Sequence, residues 1–270
     1  MTSIDGTVLD FRSMDLMATG DTGIHCLDAR AKVLVTLIFI VSVVSFNKYE
    51  LSALLPFFLF PVVMVSCGNI PATFIAKKVV LVIPFALVIG MFNPLFDQDA
   101  LVRIGSFNVS GGWISCLSII VRALLTVSAS IILVCVTGFP AICRALEQLG
   151  TPRIFAMQLL FLYRYIFVLL EEGARLSRAR DLRSLKGKGR GMGSYGSLIG
   201  NLLLRTWERA ERIHRAMLAR GFTGQFHTLQ EPRFGWRELC FVLGWAGCFL
   251  ILRLHNVSLV VGEFISGVLS

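Results

Sequence analysis

Long apolar runs constrain this chain more than any other feature of its sequence. Five runs predict helices that enter a membrane: Val33–Phe46, Leu51–Cys67, Val79–Phe96, Trp113–Phe139 and Leu239–Leu254. A helix needs about 20 mostly apolar residues, within a range of roughly 17 to 25, to cross the hydrocarbon core of a bilayer. We therefore predict an all-α polytopic membrane protein with about five transmembrane helices, of which the first and the last are the shortest.

Charge is scarce in this chain and is concentrated in one segment. Only 16% of the residues are charged and 55% are hydrophobic, whereas soluble domains carry about 25% charged residues. The segment Glu171–Arg237 holds 14 Lys/Arg against 6 Asp/Glu, so it supplies +8 of the chain's net charge of +9. Because loops rich in Lys and Arg remain on the cytoplasmic side of membranes, we predict that this segment is cytoplasmic.

The apolar runs and the basic segment divide the chain into three predicted parts. Residues 1–139 form an N-terminal membrane bundle of four spans. Residues 140–237 form a cytoplasmic module of long helices, and residues 238–270 form a C-terminal membrane segment. Since four spans precede the module, the number of membrane crossings agrees with placing it on the same side as the basic residues before the first span.

Two long helices are predicted in the central module. The first runs from Arg153 to about Arg183, after a Thr151-Pro152 pair in which Thr151 is the predicted N-cap. The second runs from about Tyr195 to Arg220, and Gly221 is expected to stop it in the C′ position, where glycine tolerates a left-handed backbone.

Each of these helices carries a seam of small and apolar residues at helical spacing. The first seam is Leu162, Ile166, Leu169, Gly173 and Leu176, and the second is Leu203, Thr206, Ala210, Ile213 and Met217. The next step along each seam reaches an arginine, Arg180 or Arg220. Either arginine could simply complement the helix dipole, or it could present its planar fork of donors to a carboxylate on a partner protein.

Arg122 lies well inside the fourth predicted span. An ionisable residue within a membrane segment is a functional candidate by default, because burying a charge there is costly. The alternative interpretation is structural, with the guanidinium bonding backbone carbonyls inside the bundle. The sequence leaves both interpretations open.

Motifs for a cofactor or a catalytic site are lacking in this sequence. No G-x-x-x-x-G-K-[ST] motif occurs, and the G-x-G-x-x-G match at Gly191–Gly196 follows no predicted strand. The four histidines are scattered, and the seven cysteines form no C-x-x-C pair, so we interpret the cysteines as small buried residues. We expect no cofactor, metal or catalytic residue in this chain. A membrane-embedded enzyme and a self-sufficient secondary transporter remain as alternative classes.

Four segments of the chain are similar to a known family. They are Leu27-Asp-Ala-Arg-Ala-Lys32, Leu146-Glu-Gln-Leu-Gly-Thr-Pro152, Glu171-Glu-Gly-Ala-Arg-Leu-Ser-Arg-Ala-Arg180 and Ala216-Met-Leu-Ala-Arg-Gly-Phe222. With them the chain resembles the transmembrane (T) component of energy-coupling factor transporters, most closely the cobalt-type CbiQ proteins. The resemblance implies a non-catalytic subunit in a cell membrane, whose partner ATPase subunits bind ATP. Cobalt ion is the implied cargo, with nickel and vitamins as alternatives carried by related systems.

The resemblance also implies where the partners bind. In that family, short Ala-Arg motifs at the tips of two coupling helices dock into grooves on a pair of ATPase subunits, and other helices hold a substrate-binding membrane subunit. The matching residues here are Ala179, Arg180 and Asp181 near the end of the first helix and Ala219, Arg220 and Gly221 at the end of the second. Asp181 departs from the pattern, because a small residue is usual there. It could pair with Arg180 internally or repel a carboxylate of the partner.

Overall fold

The computed structural model describes residues 13–47, 50–96, 100–104, 107–183, 192–222 and 235–254. Most of these residues are helical, with turns between the helices and one two-stranded hairpin, so the predicted all-α membrane class is confirmed. They form two compact units. The bundle unit contains residues 14–145 and 235–254, and the long-helix unit contains residues 146–183 and 192–222.

Eight of the described helices, all of ten residues or more, are labelled in chain order. They are α1 (Ala29–Val44), α2 (Leu51–Gly68), α3 (Ala72–Met91), α4 (Gly111–Thr137), α5 (Phe139–Gln148), α6 (Arg153–Arg183), α7 (Met192–Ala219) and α8 (Trp236–Leu254). Prolines explain why α2 and α3 are not continuous α-helices, because proline has no backbone N–H to donate to the helical hydrogen bonds. The middle of α2, Leu55–Phe58, is a 3₁₀ turn containing Pro56, and α3 is interrupted at residues 81–82, just before Pro84.

Four of the described helices are long and apolar enough to cross a membrane: α2, α3, α4 and α6. Three correspond to predicted spans, and α6 adds a fourth because its first half is strongly apolar. The first and fifth predicted spans form α1 and α8, which do not join this set. Helix α1 has 16 residues, and α8 has 19 residues but carries Arg237, Glu238 and Arg253. The apolar tail 257–269 lies outside the described residues.

The region around the third predicted span differs from expectation. Helix α3 begins at Ala72, directly after Pro71 and before the predicted start at Val79, so Lys77 and Lys78 lie within the helix. A one-turn helix, Asn93–Phe96, follows it. The sequence predicts a loop over residues 97–112, between the third and fourth spans. The structure instead has strands β1 (Ala100–Ile104) and β2 (Phe107–Ser110), which pair antiparallel with Ile104 opposite Phe107.

A cluster of aromatic rings forms the centre of the bundle unit. Phe39 of α1 stacks on Phe60 of α2 with ring centroids 4.6 Å apart, and Phe249 of α8 lies 5.4 Å from Phe39. All three side chains are buried. Helix α4 contributes Leu125 and Ile132 to the same core. Helix α8 therefore belongs to the core of this unit although its ends are charged.

The start of α1 is fixed by charged side chains from the first segment of family resemblance. Asp28 caps the helix, because its Oδ1 accepts from the Arg30 N–H at 2.9 Å. Lys32 is buried, and its Nζ donates to the carbonyl of His25 at 3.3 Å and to that of Val136 at 3.4 Å. Lys32 therefore ties the segment before α1 to the last turn of α4, where the carbonyls lack helical partners.

The cysteine interpretation is only partly correct. All seven thiols are free. Cys116, Cys135 and Cys143 are buried, but the expectation of burial is wrong for Cys26, Cys67 and Cys240, whose side chains are exposed. Cys67 and Cys240 belong to helices α2 and α8, so being part of an apolar helix does not place a residue on its packed face.

Candidate functional site

Helices α6 and α7 pack against each other within the long-helix unit. At their crossing, Gly173 has no side chain, and a Cβ placed there would lie 4.0 Å from Leu202. Beside the crossing, Glu172 of α6 accepts from Arg205 of α7 at 2.7 Å and from Arg175 of its own helix at 2.6 Å. A shared carboxylate therefore joins these two helices beside the point where the glycine faces Leu202.

An open apolar groove of about 450 Å³ runs between α6 and α7. Helix α7 lines it with the whole of its predicted seam, namely Leu203, Thr206, Ala210, Ile213 and Met217. Helix α6 lines it with Phe161, Tyr165, Val168 and Leu169. The α6 wall is thus rotated from the predicted seam, of which Leu169 lines the groove while Leu162 remains 61% exposed. Large aromatic side chains form the α6 wall, and the spacing of aliphatic residues alone did not indicate them.

Helix α7 ends in a glycine-dependent cap. Gly221 has φ +76°, its N–H donates to Leu218 O at 3.0 Å, and the Phe222 N–H donates to Met217 O at 3.1 Å. This pair of bonds is a Schellman motif, and it confirms the predicted C′ position of Gly221. Arg220 stands directly before the cap with an exposed side chain, which makes no ion pair or hydrogen bond to a residue that the structure describes. Ala219 is also exposed.

The arginine near the end of α6 is held differently. The Arg180 side chain is only 16% exposed. Its Nη2 donates to Asp181 Oδ1 at 3.2 Å and to the hydroxyl of Tyr195, in the first turns of α7, at 3.4 Å. The guanidinium also lies over the Tyr195 ring, 4.1 Å from its centroid. Asp181 thus pairs with Arg180 internally, while Ala179 is half-buried beside it.

A second glycine cap lies in the connection between α5 and α6. Gly150 has φ +112°, its N–H donates to Glu147 O, and the Thr151 N–H donates to Leu146 O at 3.0 Å. The prediction of Thr151 as the N-cap of α6 is wrong by one residue, because α6 begins at Arg153 and Pro152 O accepts its first bonds. The Thr151 N–H instead completes the end of α5.

Arg122 in α4 reaches the turn after α1. Its Nη2 donates to the backbone carbonyl of Asn47 at 2.5 Å, while its buried Nε has no partner among the described residues. The guanidinium thus bonds a backbone carbonyl, but in an exposed position at the turn after α1 and not inside the bundle. It belongs to the bundle unit, whereas Arg180 and Arg220 belong to the long-helix unit.

The sequence patterns did not indicate two residues of α7 that contact α6. Arg205 is 33 residues from Glu172, and Tyr195 is 15 residues from Arg180. Neither separation matches a helical period. A tyrosine in the first turn of a predicted helix is nevertheless a candidate for a cation–π contact with an arginine. In the part of the chain that is described, no group of His, Cys, Asp and Glu could hold a metal ion.

Comparison with known proteins identifies the family. The model of the family described as "Cobalt transport protein" (CbiQ) matches residues 20–230, which is most of the chain. The chain belongs to the CbiQ family. It is therefore a multi-pass membrane component of a transport system, as its four membrane-length helices also indicate.

Individual relatives support the CbiQ assignment. An uncharacterized protein of Methanocaldococcus jannaschii is 26% identical over 80% of this chain and 77% of its own length. The energy-coupling factor transporter transmembrane protein EcfT of Bacillus subtilis is 27% identical over 84% of this chain and 88% of its own. The cobalt transport protein CbiQ of Salmonella typhimurium is 28% identical over 54% of this chain and 70% of its own.

Proposed function

We propose that this chain is the coupling subunit of an ATP-driven importer of the energy-coupling factor type. It transmits the motions of partner ATPase subunits to a substrate-binding membrane subunit. The chain itself makes and breaks no bond, and ATP binds to the partners. Cobalt ion is the proposed cargo, because the family description and the Salmonella relative both name cobalt transport.

The placement of the two Ala-Arg motifs supports this proposal most strongly. Arg180 lies near the end of α6 and Arg220 directly follows α7, and these two helices pack together in one unit. A rigid pair of helices with an arginine at each tip can carry a movement from one end to the other as a body. Guanidinium groups suit such contacts, because they bind carboxylates through two parallel hydrogen bonds.

The family resemblance implies that helices other than the two coupling helices hold the substrate-binding membrane subunit. We propose that the groove between α6 and α7 also contributes to its binding surface. Its walls are almost entirely apolar, and Leu203 and Trp207 remain 65% and 73% exposed. In a segment outside the membrane, exposed apolar side chains of this kind mark an interaction site, whereas the apolar first half of α6 also suits contact with lipid. A movement applied at the helix tips would then reach the substrate-binding subunit through the same two helices.

The decisive experiment measures coupled transport by the assembled complex. Losing one side of a buried, hydrogen-bonded charge pair at an interface costs about 2–5 kcal/mol, so Arg220→Ala should strongly weaken ATPase attachment, and Arg180→Ala should do so less. Arg220→Lys should restore little, because an ammonium lacks the two-pronged donor geometry. Cobalt uptake and ATP hydrolysis are measured in proteoliposomes carrying the double Ala variant, with nickel and vitamins as alternative cargoes.

The outcomes separate the possible roles. Uncoupled or absent uptake by the double variant supports docking, whereas normal coupled transport would mean that the arginines only complement the helix dipoles. The proposed cytoplasmic location of the tips is checked in the same system. ATPase subunits should bind inside-out membrane vesicles and should not bind right-side-out vesicles, and the reverse result would contradict this topology.

A further inference from the structure

The two arginines proposed for docking, Arg180 and Arg220, differ in the contacts that their side chains make within the chain. Arg220 is exposed and has no side-chain partner among the described residues. Arg180 is largely enclosed and bonded to Asp181 and Tyr195. The residue that follows each arginine explains part of this difference. Asp181 places a carboxylate next to Arg180, whereas Gly221, which follows Arg220, has no side chain.

The contacts around Arg180 leave part of the hydrogen-bonding capacity of its guanidinium group unused. Charge-assisted N–H···O bonds are typically about 2.7–2.9 Å long, whereas the two bonds from Arg180 measure 3.2 and 3.4 Å. Both leave from Nη2, and Nε and Nη1 are enclosed without a partner among the described residues. A buried donor without an acceptor favours any rearrangement that supplies one.

A carboxylate from a partner would compete for the same nitrogen. Arginine binds a carboxylate bidentately either through Nη1 and Nη2 or through Nε and Nη2, so both geometries need Nη2. Asp181 and Tyr195 occupy that nitrogen. The Asp181 carboxylate also repels an incoming carboxylate. Partner binding at this tip therefore requires the internal contacts to open.

We propose that Asp181 and Tyr195 form an internal clasp on Arg180, which competes with the ATPase subunits for this arginine. Arg220 is then the docking residue that is always available, and Arg180 is the one that must be released. The clasp joins the end of α6 to the first turns of α7, so its release also frees these two helix ends from each other. This inference rests on the proposed docking function.

The test uses the full chain in lipid nanodiscs and the purified ATPase subunits as the probe. Asp181→Asn combined with Tyr195→Phe removes the carboxylate and the hydroxyl but keeps the aromatic ring. We expect the dissociation constant to fall about threefold or more, the size typical of a partly exposed charged contact. The same two substitutions in an Arg180→Ala background are the matched control and should change nothing. Unchanged or weaker binding with Arg180 present, or an equal gain without it, would overturn the proposal.

A second measurement reads the clasp without any partner. Thermal unfolding of the isolated chain is followed for Arg180→Ala, Tyr195→Ala and the double variant, since contacting residues give non-additive effects. Non-additive shifts in Tm are expected, and Arg180→Ala with Ile199→Ala, one turn further along α7, should be additive. Additive shifts for Arg180 and Tyr195 would show that the clasp does not exist. If the cycle shows the clasp but neither arginine matters for binding, the docking function is what fails.

Discussion

The bundle unit and the long-helix unit differ in what their apolar side chains contact. In the bundle unit, apolar side chains meet one another, and the rings of Phe39, Phe60 and Phe249 are buried in contact. In the long-helix unit, the seam of α7 faces an open groove, and polar contacts such as Glu172 to Arg205 join the helices. The first unit has a core of its own, whereas the second leaves an apolar groove open between its two helices.

Because of this difference, we expect substitutions in the two units to affect different properties of the protein. Substitutions in the bundle unit should act on folding, because its contacts are internal. Substitutions along α6 and α7 should act on assembly, because their seam has few internal contacts to lose. Stability and partner binding, measured separately, therefore test the comparison directly.

The largest expected effect is the loss of a central ring in the bundle unit. Phe39→Ala removes a fully buried aromatic side chain, and substitutions of this kind cost roughly 3–5 kcal/mol. We expect a strong loss of folded yield and of Tm for the purified chain. Phe85→Ala is the matched control, because Phe85 in α3 is 70% exposed and its loss should be tolerated. Equal effects of the two variants would show that the ring cluster is not the core.

An intermediate effect is expected for Arg122, which joins α4 to the turn after α1. Arg122→Leu removes its hydrogen bond to the Asn47 carbonyl, and the loss should cost roughly 1 kcal/mol. Asn47→Ala keeps that backbone carbonyl and should leave the contact intact. Tm of the purified chain is measured together with cobalt uptake. A fall in uptake at unchanged Tm would favour a direct role in transport, and wild-type values in both assays would exclude both roles.

The smallest effect on stability is expected in the groove. Leu203 and Leu204 are adjacent in α7 and similarly exposed, at 65% and 64%, but only Leu203 lines the groove. Surface substitutions usually change stability by about 0.5 kcal/mol or less, so Leu203→Ser and Leu204→Ser should both leave Tm nearly unchanged. Co-purification of the substrate-binding subunit should fall for Leu203→Ser alone. If both variants or neither lose the partner, the groove does not contribute to its binding surface.

Local chemistry made part of this structure predictable. Glycine after a helical pattern indicated the end of α7, and the cap at Gly221 confirms it. The predicted limits of α6, Arg153 after Pro152 and about Arg183, agree with the helix in the structure. The hairpin before α4 also had a local signal, because Gly105-Ser106 separates two short runs of strand-forming residues, but the segment was interpreted as a loop.

Contacts between distant residues were beyond the reach of sequence patterns. Periodicity places Gly173 on a packed face of α6 but does not say that Leu202 will meet it. In the same way, the suspicion that Asp181 could bind Arg180 came from their adjacency, whereas Tyr195 enters only through the pairing of α6 with α7. The rotation of one helix against another is set by the sum of many small contacts, and no single motif encodes it.

The distribution of tryptophans gives each unit its own optical reporter. Trp245 lies against Phe60 in the bundle unit, with ring centroids 4.9 Å apart, so its emission should follow the integrity of that core. Trp207 lines the groove and is 73% exposed, so a partner that covers it should shift its emission to shorter wavelengths. A chain that retains one of these two indoles at a time would report folding and assembly as separate fluorescence signals, without an added dye.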